Sequence, residues 1–184
     1  MGKLSARDRE IESEKEGIRQ GLLFPFTTSE GIYHCAGDKR LSSASPTLTF
    51  VSYSGAGGMN GEQSGLSVKS MSAIVNPSDK YVYVEESDPR QYNMGSWIIS
   101  MGAGSNWIDP VAPWHNDYST LSWADGHATT KKWLSENTKK AARNTVGTPS
   151  RPGTFSFGFY DKDNRDIMYM KEHYATNRKS GNAL

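Results

Sequence analysis

The 184-residue chain has one cysteine, Cys35. No internal disulfide can form, so the fold must be held by packing and hydrogen bonds alone. With no partner base evident in the sequence, Cys35 reads as a small buried apolar residue rather than a reactive thiol. Long hydrophobic runs are absent too. No stretch approaches the roughly 20 apolar residues that cross a bilayer, and no cleavable signal peptide is visible. Neither sign of charge dominates: 21 Lys and Arg stand against 20 Asp and Glu, a net charge of +1. That balance argues against general binding of nucleic acid or an anionic membrane. There is no internal repeat, no low-complexity tract and no G-x-S-x-G elbow. Gly55-Ala56-Gly57-Gly58 lacks the Lys-Ser/Thr of a phosphate loop and reads as part of a flexible glycine-rich loop over 54–65.

What the chain does have is 18 glycines, 8 prolines and many aromatics (5 Trp, 9 Tyr, 6 Phe), the composition of a loop-rich fold with an aromatic core. It favours an α+β or β-rich architecture over a helical bundle. A chain of this length suits one domain and can bury roughly 70% of its unfolded surface. That domain is expected over 4–174, with 175–184 as a frayed tail.

Taken in order, residues 4–20 predict an amphipathic helix, with Leu4, Ile11 and Ile18 at intervals of seven and Ser5 and Asp8 forming an N-terminal cap. The narrow stripe predicts packing on a sheet. Gly21 ends the helix and Pro25 blocks its continuation. Strands are predicted at 47–53, 72–75, 81–85 and 97–101, with 81–84 central in the sheet. A hairpin follows: Ser119 to Ala124 alternates around Leu121 and Trp123, Asp125-Gly126 supplies a two-residue type I′ turn, and 127–133 returns. That turn pairs Ala124 with His127, Trp123 with Ala128 and Leu121 with Thr130. Residues 135–143 read as a short helix or solvated loop, 155–159 as an edge strand or aromatic flap, and 166–174 as a terminal helix.

His115, Asp125 and His127, together with Glu85, Glu86 and Asp88, form the main concentration of ligand-type side chains that one compact fold could gather. Histidine with carboxylates suits zinc or another transition metal, whereas carboxylates with carbonyls suit calcium. The competing reading is structural: Asp125 shapes its turn and His115 fixes the approach to the hairpin. Asp161, Asp163 and Asp166 invite a calcium loop, but Arg165 falls where a ligand is wanted, so a solvated turn is favoured. His34 and His173, beside Tyr33 and Tyr174, read as packing histidines. The tryptophans offer flat faces of the kind that line a carbohydrate platform, although Trp97 and Trp123 sit in predicted strands and are better explained as core.

His115 followed nine residues later by Asp125-Gly126 resembles the H-X9-DG motif of the prepilin-type processing-associated family, pilin-like or pseudopilin-like bacterial proteins. Segments 18–26, 33–38, 84–90, 93–97 and 132–133 fit the same pattern in order. The resemblance implies a pilin-like head, an N-terminal helix packed on an antiparallel sheet, working non-enzymatically in a type II secretion or pilus-like assembly. It further implies other pilin-like subunits or secretion machinery as partners, and a periplasmic or cell-surface location. The family's apolar N-terminal anchor is missing from 1–21, so the full-length protein is expected to carry one upstream. Calcium orders loops in the resembling major pseudopilins. The competing class is an extracytoplasmic metal- or carbohydrate-binding module, or a metal-dependent hydrolase, using His115, Asp125 and the region from Glu85 to Asp88.

Overall fold

The structure, a computed structural model, describes residues 5–41, 49–63, 65–87, 95–101, 107–143 and 165–176. The architecture is α+β. Strands β1 (Tyr53–Ala56), β2 (Tyr81–Glu85), β3 (Ser96–Trp97), β4 (Tyr118–Trp123) and β5 (Ala128–Lys132) form one sheet in the order β3-β1-β2-β4-β5. β2 is central, as its β-branched and aromatic run predicts. The sheet is mixed rather than purely antiparallel, because β3 lies parallel to β1 while the other pairs are antiparallel.

The aromatic core lies on one face. β4 alternates, burying Ser119, Leu121 and Trp123. Tyr81 meets Trp97 edge-on at 5.7 Å, Trp97 meets Trp107 at 6.2 Å, and Trp107 meets Trp133 at 6.2 Å. Such T-shaped pairs add about 0.5–1.5 kcal/mol each beyond their buried area. Helix α5 (Arg165–Glu172) closes this core with Ile167 and Met170, and the Tyr81 hydroxyl donates to the Met170 carbonyl at 2.9 Å.

Helix α1 (Ala6–Arg19) starts on the predicted capping box: Ser5 Oγ accepts from the Asp8 amide and the Asp8 carboxylate accepts from the Ser5 amide. It buries no residue. Its ties run to the segments beside it: Glu14 accepts from the Phe50 amide at 2.6 Å, Arg7 donates to the Arg40 carbonyl, and Arg19 and Lys15 pair with Glu30. A four-residue helix, α2 (Phe24–Thr27), follows with Pro25 in its first turn, where a missing amide hydrogen is harmless.

Several local expectations shift. The strand predicted at 47–53 is displaced to β1, the one at 72–75 is a 3-10 turn (Met71–Ala73), and the one at 97–101 shortens to β3 plus an Ile99–Trp107 bridge. The glycine-rich stretch is not a loose loop where it matters: helix α3 (Gly57–Asn60) buries Gly57 and Gly58. Residues 174–175 cross so closely that a Cβ on Gly58 would fall 2.0 Å from the Ala175 carbonyl oxygen. Tyr174 and Ala175 are both buried. Helix α4 (Glu136–Arg143) confirms the helical alternative for that region. The segment 155–159, Asp161 and Asp163 lie outside the described residues. Asp166 is buried and accepts from the Leu134 and Ser135 amides, so at this residue a tie at the core boundary stands in place of the expected solvated turn.

Candidate functional site

The opposite face of the sheet carries the polar cluster. Because Val84 turns to the aromatic core, its neighbour Glu85 points the other way. There it sits with Tyr53, its direct partner in the β1–β2 register. The Glu85 side chain is wholly buried, and its Oε2 accepts from the Thr120 amide at 2.9 Å. Its Oε1 lies 3.0 Å from His115 Nε2. The same nitrogen is 3.2 Å from Cys35 Sγ. Sulfur, carboxylate oxygen and imidazole nitrogen lie within 4.8 Å of one another.

Each of the three is delivered by a distinct local device. Cys35 belongs to a turn in which the Asp38 amide donates to the Cys35 carbonyl and the Gly37 amide points at Sγ at 3.3 Å. Gly37 lets the imidazole come close: a Cβ there would lie 3.2 Å from both His115 Cε1 and Trp114 Cβ, and one of them would have to give way by a few tenths of an ångström. The turn is fastened to the segment before β1. The Cys35 amide donates to Ser52 Oγ, Ser52 Oγ donates to Asp38, and Asp38 forms a buried ion pair with Arg40 at 2.7 Å. Arg40 in turn stacks over the Trp114 ring at 5.0 Å.

His115 is fixed by a tight reversal. Asn116 and Asp117 both have positive φ, 55° and 69°, and His115 and Tyr118 exchange both backbone hydrogen bonds. This is the signature of a two-residue type I′ turn, which Asn and Asp tolerate better than most residues. The His115 side chain is 41% exposed, so the cluster reaches the surface on its imidazole side.

Electrostatics fit a polar nest that is buried except on its imidazole side. Burial raises the Cys35 thiol pKa, the Gly37 amide partly opposes it, and the Glu85 charge adds to the rise. Burial also pushes the Tyr53 phenol up, reinforced by Glu85 and Cys35 beside it. The arrangement does not match a nucleophilic triad. There, the base would offer one ring nitrogen to the thiol and the other to the carboxylate, whereas here both groups face Nε2.

Of the residues nominated from sequence, the fold therefore joins His115 to Glu85. Glu86 is buried next along the chain, its amide donating to the Ser52 carbonyl, and its carboxylate is not among the converging atoms. Asp88 lies outside the described residues. Asp125 sits at the other end of β4. A strand of six residues separates its turn from His115, about 20 Å at 3.4 Å per residue. Asp125 instead accepts from the His127 amide and from His127 Nδ1 at 2.6 Å, and His127 stacks on Trp123. His34 stacks on Phe50, and His173 packs on Tyr169 and Trp123, both as packing histidines. Sequence reasoning missed Cys35 and Tyr53 as members of the cluster. Among the described residues, no helix is long and apolar enough to cross a membrane. Compared with protein-family profiles, curated proteins and solved structures, the chain matches none.

Proposed function

We propose that this chain is the globular head of a pilin-like or pseudopilin-like subunit in a type II secretion or pilus-like assembly, acting by association rather than by catalysis. One observation carries the reading beyond the motif resemblance: large apolar side chains stand in water just after α1. Leu22 is 90% exposed and Phe26 86%, with Leu23 and Ile32 beside them more than half exposed. Clustered exposure of this kind marks an interaction surface. Its place at the foot of the N-terminal helix suits packing against a neighbouring subunit whose own helix runs alongside. The antiparallel ladder of β1, β2, β4 and β5 that follows this helix supports the reading, since the resemblance implies an antiparallel sheet behind an N-terminal helix.

The test uses the full-length gene product in its native cells, with a photo-crosslinking residue at position 26. The expected result is an adduct with a second membrane-anchored pilin-like subunit, lost in the Leu22→Asp variant. Because Leu22 is almost fully exposed, that substitution should shift stability by no more than about 0.5 kcal/mol. A product recovered wholly as free monomer, with no adduct, rejects the reading.

A further inference from the structure

The geometry points to a transition-metal site at Cys35, Glu85 and His115, holding one ion of the zinc class through Sγ, Oε1 and Nε2 with a fourth position open to water. The inference stands independently of the assembly reading.

The first argument is geometric. Tetrahedral coordination with bonds of about 2.3 Å to sulfur and 2.0–2.1 Å to nitrogen and oxygen sets the donors about 3.3–3.6 Å apart. Here Nε2 lies 3.2 Å from Sγ and 3.0 Å from Oε1. Both are within about 0.4 Å of the coordinated spacing, and the exposed imidazole can supply the adjustment by turning outward.

The second argument is about protons. A single ring nitrogen faces both a thiol and a carboxylate. If Nε2 carries a proton it donates to Glu85, and the thiol is left to turn its own proton to the same carboxylate. If it carries none, it accepts from Cys35 and meets the carboxylate lone pairs unshielded. A cation among the three would take one lone pair from each group at once, with no proton needed between them. On binding, the Cys35 S–H bond breaks, the proton leaves to solvent and the thiolate electron pair forms the bond to the metal. The imidazole keeps its proton on Nδ1. One proton is released per ion from the thiol.

The third is the surrounding shell. The Thr120 amide holds the second oxygen of Glu85 and the Gly37 amide points at sulfur, the outer contacts that orient ligands around a metal. The donor chemistry selects the ion class. One sulfur, one imidazole and one carboxylate oxygen suit zinc, cobalt or iron, whereas calcium wants six to eight oxygens. The ion would join three parts of the chain, the 35–40 turn, the end of β2 and the reversal before β4.

The experiment titrates the untagged, chelator-treated full chain with Co²⁺ and then Zn²⁺. Cys35 is the only cysteine, so a thiolate-to-cobalt charge-transfer band reports this site and no other. The expected result is one Co²⁺ per chain with that band, displaced by Zn²⁺, and a thermal midpoint that rises with ion concentration. Cys35→Ser should abolish the band, and His115→Gln should weaken Zn²⁺ binding by about 100-fold or more, with far-UV circular dichroism confirming that both remain folded. The proposal is overturned if the folded wild-type chain takes up no Co²⁺, takes it up without the sulfur band, or binds half an ion per chain through two bridged cysteines. These readings on the wild type do not depend on any variant folding.

Discussion

The Asp166 carboxylate gathers the Leu134 amide at 2.9 Å, the Ser135 amide at 2.8 Å and Lys131 Nζ at 3.3 Å, all without exposure of its own. It ties the first turn of α5 to the chain leaving β5. Asp166→Ala strips these donors of their acceptor, and hydrogen bonds to a charged group are worth about 1.5–3 kcal/mol each net. A loss of roughly 3 kcal/mol in chemical denaturation is expected, and an unchanged midpoint would refute the assignment. Two glycines give opposite signs. Gly58→Ala drives a methyl into the Ala175 carbonyl and the Tyr174 ring, so it should cost about 1–3 kcal/mol or more. Gly17→Ala meets nothing within 4 Å in the last turn of α1, and should stabilise by about 0.5–1 kcal/mol. Thermal unfolding of the pair separates crowding from backbone entropy.

At the scale of the element, the nine residues between His115 and Asp125 resolve into a two-residue reversal, a six-residue strand and Ala124. The spacing is thus the length of β4, and its two ends have different work. Asp125-Gly126 closes the hairpin, but by a three-residue loop. The Trp123 amide donates to the His127 carbonyl, Gly126 alone takes positive φ, and Ser122 pairs with Ala128. The register is one residue off the type I′ expectation, because Asp-Gly serves equally well in a type I turn followed by a left-handed glycine. The type I′ turn falls at Asn116-Asp117 instead. Asn116→Val should therefore cost about 1–2 kcal/mol and loosen His115. Asp125→Ala should leave ion uptake at Cys35 unchanged, and a loss of uptake on changing Asp125 would contradict the separation of the two ends. The parts legible in sequence are those written locally: the α1 cap, β2, the β4–β5 hairpin and α5. β1 was misplaced because Gly55 and Ala56 are poor strand formers held there by pairing with β2 and β3. Cys35, Glu85 and His115 lie far apart in the chain, so no spacing could announce the cluster; only the fold brings them together.

For the whole molecule, a core that buries tyrosine phenols among tryptophans and aliphatic side chains sets the limit of its stability at high pH. Burial raises the phenol pKa of Tyr81 well above its ordinary value of 10.0, and burial likewise leads the upward shifts of Tyr174, Tyr169 and Tyr83. Tyr81 and Tyr174 meet edge-on at 5.8 Å, so ionising either puts charge between β2 and the chain after α5. A group whose pKa is higher when folded than when unfolded gives stability that is complete below the unfolded value. Above pH 10 the unfolded chain binds fewer phenolic protons than the folded one, so the slope of stability against pH is negative. Stability should fall as pH rises through the folded values. Acid has a smaller, local effect: the Ser5 hydroxyl and amide hold the Asp8 carboxyl below its ordinary value of 3.8, so the α1 cap is lost only as pH falls through that lowered value. Phenolate absorbance and near-UV circular dichroism, followed together between about pH 9 and 12, check the alkaline limb. The expected record is a first group of tyrosines ionising with the fold intact, then the rest ionising together with loss of near-UV signal. Free ionisation of all nine tyrosines near pH 10 with the near-UV signal preserved would show that these phenols are not held in the core.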